Sequence, residues 1–173
     1  MPVENIFRLQ LVLGYVAWLL CFSAYLLPRL RGMDRADAHR AIATLHSFRF
    51  FGLVFVVPGV IGAQVPAAFA TTAAWGDFAT GVLALLALLT FRIRPLFWLF
   101  TIAFNVAGIT DLVVDYANAM RLNLPAVAGQ MGATYFIPII YVPLLMITHI
   151  VAIYWLLRPQ QAPHALTSNV VAS

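Results

Sequence analysis

Leu96 to Asn118 reads LFWLFTIAFNVAGITDLVVDYAN, and this run decides the fold. A helix of about 20 apolar residues spans the hydrocarbon core of a bilayer. This run is long enough, follows Pro95 and contains no cationic side chain, yet it carries Asn105, Asp111, Asp115 and Asn118. At about 100° per residue, Thr101, Asn105, Gly108, Asp111, Asp115 and Asn118 share an arc of roughly 140°. A stripe of that kind cannot face lipid tails; it faces the interior of a bundle or a wet cavity. With entry near Leu96, Asn105 lies near mid-membrane, Asp111 about 22 Å and Asp115 about 28 Å along a core roughly 30 Å thick. Asp115 therefore reads as interfacial, facing water or Arg121, whereas Asp111 is buried.

Four further apolar runs flank this one, at roughly 7–27, 42–63, 75–91 and 134–157. Pro28, Pro66, Pro95, Pro125 and Pro159 punctuate the five near their ends, because proline cannot continue a helix interior. Pro58, Pro138 and Pro143 fall inside runs, where kinks are expected and neighbouring helices must satisfy the freed carbonyls. Composition agrees with a membrane protein: the 173 residues are 63% hydrophobic and 9% charged, against about a quarter charged in a soluble domain. The fold expected is all-α, a bundle of five transmembrane helices over residues 1–158, followed by a disordered cytoplasmic tail, 159–173, that includes His164.

Arginine counts in short loops set the orientation. The first loop holds Arg29, Arg31, Arg35 and Arg40, the third Arg92 and Arg94, and Arg158 follows the last run; the second loop is uncharged and the fourth has only Arg121. Five helices with the amino terminus outside and the carboxyl terminus cytoplasmic satisfy this alternation. The first run reads as an anchor rather than a cleaved signal peptide, since its basic residues follow the apolar stretch instead of preceding it.

All ten cationic side chains are arginine. Without lysine there is no Schiff base to retinal or pyridoxal and no P-loop lysine. The single cysteine, Cys21, excludes intrachain disulfides, CxxC redox pairs and thiolate zinc sites; it reads as a packing residue. The chain shows no solenoid repeat, Rossmann glycine pattern, HExxH or GxSxG. The net charge of +4 sits in membrane-side loops, which points to lipid headgroups and not to nucleic acid.

Intramembrane polar residues are the remaining functional candidates. On the outer side, Asp77 opens the third run in AAWGDFATG, level with Asp111. The two either form a carboxylate pair sharing a proton or cation, or Asp77 simply favours the positive end of its helix dipole. Gln64 and Arg121 adjoin that region from the outer loops. On the cytoplasmic side, His46 and Arg49 lie three apart on one face of the second helix, Arg49 with the option of snorkelling to headgroups. His149, about 12 Å from the cytoplasmic end of the fifth helix, lies at a depth similar to that of His46. Such a pair suggests bis-histidine ligation of haem b, against the plainer reading of ordinary hydrogen bonding. A metal site is not expected, because the carboxylates sit at the opposite surface. His39 falls in the basic loop, in water.

The segments AAWGDFATGVLALLALL, NVAGITDLVVDYA and IPIIYVPLLMITHIVAIYWLL resemble a group of small multi-pass bacterial membrane proteins without an assigned activity. The matching positions are Gly76, Asp77, Asn105, Gly108, Asp111, Pro138, Pro143 and His149, within roughly residues 46 to 157. The resemblance implies a bacterial inner membrane and supplies no reaction. The tryptophan-dense motifs of the tryptophan-rich sensory proteins, which share the five-helix size, are absent.

Two functions of different class follow. In one, an internal polar cavity binds a small or lipophilic ligand, or relays protons, through Asp77, Asn105, Asp111, His46, Arg49 and His149. In the other, the same residues lock the helices of a structural or accessory subunit, in a homo-oligomer or a larger membrane complex, with the aspartates already satisfied and no cavity. Haem b electron transfer through His46 and His149 is a third.

Overall fold

The computed structural model describes residues 1–158; the tail 159–173, with His164, lies outside the described residues. The described residues are helical with no strand. Helix α1 runs from Val3 to Arg31, α3 from Ala67 to Leu89, α4 from Arg94 to Arg121 and α5 from Ile137 to Leu156, and each is long and apolar enough to cross a membrane. Helix α2 spans Arg35–His46, and the chain continues it as a 3₁₀ helix, Ser47–Val56. A second 3₁₀ segment, Leu124–Tyr135, links α4 to α5 and is interrupted at Gly132, where φ is +54°.

The second expected run differs most: among the described residues four helices are long and apolar enough to cross a membrane, not five, and this segment is not one of them. Instead of one span over 42–63, α2 begins at Arg35, capped by the Asp34 side chain accepting from the Ala36 amide at 3.1 Å. The 3₁₀ helix ends at Val57, whose ψ of 123° is extended. Pro58 forces that geometry on the residue before it, so it ends this helical segment and does not kink it. In a 3₁₀ helix residues three apart eclipse one another, and His46, Arg49, Gly52 and Phe55 form one such buried row. Phe48, Phe50 and Phe51 face outward.

Two other prolines are absorbed by π turns. Helix α1 does not stop at Pro28: a π turn at Phe22–Leu26 precedes it, with the Leu27 amide bonding to the Phe22 carbonyl. The same device recurs at Ile137–Tyr141, where the Val142 amide bonds Ile137 O just ahead of Pro143. A π turn shifts the hydrogen-bond register by one residue, so the missing proline N–H falls where the ladder is already changing. Helix α1 serves this second irregularity, Trp18 Nε1 donating to the Ile140 carbonyl at 2.7 Å.

Helix α3 packs between the 3₁₀ continuation of α2 and helix α4, and α4 packs on α5. Helix α1 is peripheral, resting on α5 and the Leu124–Tyr135 segment and scarcely touching α4. Two apolar clusters form, one at each end. Phe7, Phe55, Phe69, Leu124 and Ile139 join in one; Ile42, Ala84, Phe97, Phe104 and Ala152 join in the other. In each of α2, α3, α4 and α5 the polar candidates lie between the two sets in sequence: His46 and Arg49, Asp77, Asn105 to Asp111, and His149. The fold therefore holds a polar layer between two apolar ones.

Candidate functional site

Arg49 is the centre of the polar layer. Its side chain is wholly buried, and Nε donates to Asp77 Oδ1 at 2.6 Å while Nη2 donates to Asp111 Oδ2 at 2.5 Å. Nη1 donates to the Gly108 carbonyl at 3.3 Å and to His149 Nε2 at 3.2 Å. The early start of α2 is what carries Arg49 so deep. At about 1.5 Å per α residue and 2.0 Å per 3₁₀ residue, it stands roughly 22 Å from Arg35, too far to snorkel.

This geometry joins what the sequence separated. Asp77, Asn105 and Asp111 were expected outside and His46, Arg49 and His149 on the cytoplasmic side; the arginine links both groups. Asp77 and Asp111 share a cation, as one of the two readings expected: it is the Arg49 guanidinium, which stands between them and donates to one oxygen of each. Its planar fork suits two carboxylates at once.

The histidine tautomers follow from the donors available. Asn105 Nδ2 donates to the Thr101 carbonyl at 2.8 Å, which leaves Oδ1 to accept from His149 Nδ1 at 2.9 Å. His149 is therefore neutral with its proton on Nδ1, and Nε2 is free to accept from Arg49. Thr148 Oγ1 donates to the Leu144 carbonyl at 2.9 Å, so its lone pair accepts from His46 Nε2 at 2.9 Å. His46 Nδ1 is left buried without a partner. The two imidazoles lie against each other, their centroids 3.9 Å apart. That contact leaves no room for a porphyrin between them, and only one of the four ring nitrogens has no hydrogen bond. The pair as arranged does not fit bis-histidine haem ligation.

Close approach of the helices depends on absent side chains. A Cβ at Gly108 would overlap His149 Nε2 and Arg49 Nη1, one at Gly76 would overlap Asp111 Oδ1, and one at Gly52 would overlap the Asp77 carboxylate.

A cavity of about 90 Å³ adjoins the carboxylate side of the network. Most of its wall is apolar or aromatic, including Phe7, Phe55 and Phe69, and the polar contributions come from Asp77, Asp115, Tyr116 and Arg8. Asp115, expected at the interface, is half-buried. Its Oδ1 is buried and has no hydrogen-bond partner, while Arg121 bonds Asn118 at 3.2 Å. Tyr116 bonds Tyr15 of α1 across 2.6 Å at the cavity's edge.

His39 also departs from expectation. It is fully buried, not in water, with its ring edge-on to Trp98 at 5.3 Å and to Trp155 at 6.3 Å. It precedes the apolar stretch that begins at Ile42. Burial, helped by the nearby Arg35 charge, lowers it to about 4.

Over residues 6–157 the chain matches the family model described as Domain of unknown function (DUF8737), and it belongs to that family. No curated protein and no solved structure matches it.

Proposed function

We propose that this DUF8737 chain is an integral membrane protein whose largely apolar cavity binds a small lipophilic ligand, with the arginine-centred network serving as the frame. The bundle inserts with five passes, amino terminus outside and carboxyl terminus cytoplasmic, in a bacterial inner membrane. The arginine asymmetry supports that orientation: Arg29, Arg31, Arg35, Arg40, Arg92, Arg94 and Arg158 gather at one end, and only Arg8 and Arg121 lie at the other. In this orientation the cavity lies in the outer half of the membrane.

One observation carries the binding reading: a largely apolar cavity is lined by Asp115, a half-buried carboxylate that no described hydrogen bond or ion pair satisfies. Apolar pockets with a few placed polar groups are the usual form of small-molecule sites. Intramembrane carboxylates without partners are costly and mark function. A structural role accounts for Asp77 and Asp111, which Arg49 satisfies, but not for Asp115 or the cavity. Proton relay is the weaker alternative, because Arg49, always protonated in proteins, stands between the carboxylates and His149. A fixed arginine charge in a pathway repels protons.

Mass spectrometry of small molecules co-purified with the intact protein tests the reading. A lipophilic species that accompanies wild type and is lost from Ala73→Leu, which fills the cavity wall, supports it. Equal content in both, or none in either, contradicts it.

A further inference from the structure

The charges facing the cavity do not balance. Arg49 supplies one positive charge, already shared between Asp77 and Asp111. Asp115 adds a third carboxylate to the same region, and no described donor reaches its Oδ1. Arg8, also on the wall, is half exposed and lies 4.0 Å from Glu4, and no described ion pair joins it to Asp115. An ion in a low-dielectric interior needs a counter-charge or a proton. The cavity that Asp115 lines also has the aromatic side chains Phe7, Phe55, Phe69 and Tyr116 in its wall, and ring faces attract cations most strongly where water is excluded.

Resting on the binding role proposed above, we infer that the ligand is a lipophilic amine, its cationic head against Asp115 and the aromatic wall and its apolar body along the rest of the cavity. An anionic ligand would deepen the charge excess. A neutral hydrocarbon would fill the space and leave the half-buried Asp115 carboxylate without a counter-charge, at the cost of that group's desolvation. An amine supplies the missing charge and the apolar surface together. The peripheral helix α1 gives it a way in. Phe7, Arg8 and Leu11 of α1 form one wall, yet α1 meets α4 there through the Tyr15–Tyr116 bond and not through a packed seam. A bilayer-dissolved molecule can therefore enter sideways between them.

The test uses two probes of one shape, n-butyltrimethylammonium and 2,2-dimethylhexane, which differ in having a charged nitrogen or a neutral carbon at the branch. Binding to the full chain in lipid nanodiscs is measured by native mass spectrometry at matched bilayer concentrations. The ammonium probe is expected to bind at least about tenfold more tightly, and Asp115→Asn is expected to erase that preference. Equal or tighter binding of the hydrocarbon overturns the amine assignment and leaves the cavity reading standing. Failure of both probes to bind wild type overturns the two together. If Asp115→Asn does not fold, the wild-type ratio alone decides.

Discussion

His149 holds Arg49 with an unprotonated nitrogen: Nε2 accepts from Nη1 at 3.2 Å because Asn105 already takes the Nδ1 proton. Across a 3.9 Å ring contact, His46 carries its proton on the other nitrogen, donated to Thr148. Nitrogen-15 spectra of the histidine-labelled protein should therefore show two neutral imidazoles in opposite tautomers, His149 as Nδ1–H and His46 as Nε2–H. Matching tautomers, or an imidazolium at either site at pH 7, would contradict the network. Asn105→Leu removes the acceptor and strands the His149 proton, at an expected cost of about 1–3 kcal/mol.

Arg49→Met leaves two carboxylates buried without a cation. Breaking a buried ion pair by removing one partner costs roughly 3–5 kcal/mol, so thermal unfolding in detergent should drop sharply. Adding Asp77→Asn and Asp111→Asn to Arg49→Met should recover part of that loss, since the stranded charges go with them. A triple variant no better than Arg49→Met would show that the arginine acts through packing alone.

The glycine contacts make a graded prediction. Gly108→Ala and Gly76→Ala each push a methyl group into the ion network and should cost about 1–3 kcal/mol, as overpacking does. Gly32→Ala is the control. Its added Cβ would sit 3.6 Å from its nearest neighbour, and its φ of −79° suits any residue. It should be neutral or stabilise by about 0.4–1 kcal/mol. Equal effects at all three positions in thermal melts would remove the case for close approach at the site.

His39 predicts a pH dependence with a definite sign. The folded protein keeps it neutral down to about 4, whereas the unfolded chain takes up a proton near 6.5. Stability from this residue is thus complete above about pH 6.5 and falls progressively toward pH 4, because the unfolded state binds the extra proton. Melting temperatures of wild type should decline more over that interval than those of His39→Phe. Parallel curves would place His39 in water after all.

How much of this was legible varies with the kind of signal. The polar face of α4 was readable because helical periodicity fixes azimuth regardless of partners. Of the eight residues carried over by resemblance, Gly76, Asp77, Asn105, Gly108, Asp111 and His149 fall in or against the network, whereas Pro138 and Pro143 belong to the π-turn region of α5. The central role of Arg49 was not readable. Its depth was counted from a helix start at Ile42, seven residues after the real one at Arg35 (42 − 35), and 3₁₀ winding carried it farther. The row His46, Arg49, Gly52, Phe55, followed by Pro58, was the available signal, a period of three that an α-helical template does not register. His39 was misplaced because linear depth says nothing about the neighbours that close over a residue: Trp98 and Trp155 flank its ring. For the same reason the cavity that half-buried Asp115 lines, with Phe7, Arg8 and Leu11 of α1 across it, was not readable.

The central claim is that a carboxylate outside the ion network stands open to a cavity reachable from the bilayer. Modification by dicyclohexylcarbodiimide tests it most directly, because this apolar reagent reaches carboxyl groups from the lipid phase and adds to the protonated form. Peptide mapping by mass spectrometry should find the label on Asp115, with Asp77 and Asp111 spared by their bonds to Arg49, and a lipophilic amine should protect the site. An unlabelled Asp115, or labelling spread equally over the three aspartates, would contradict the account.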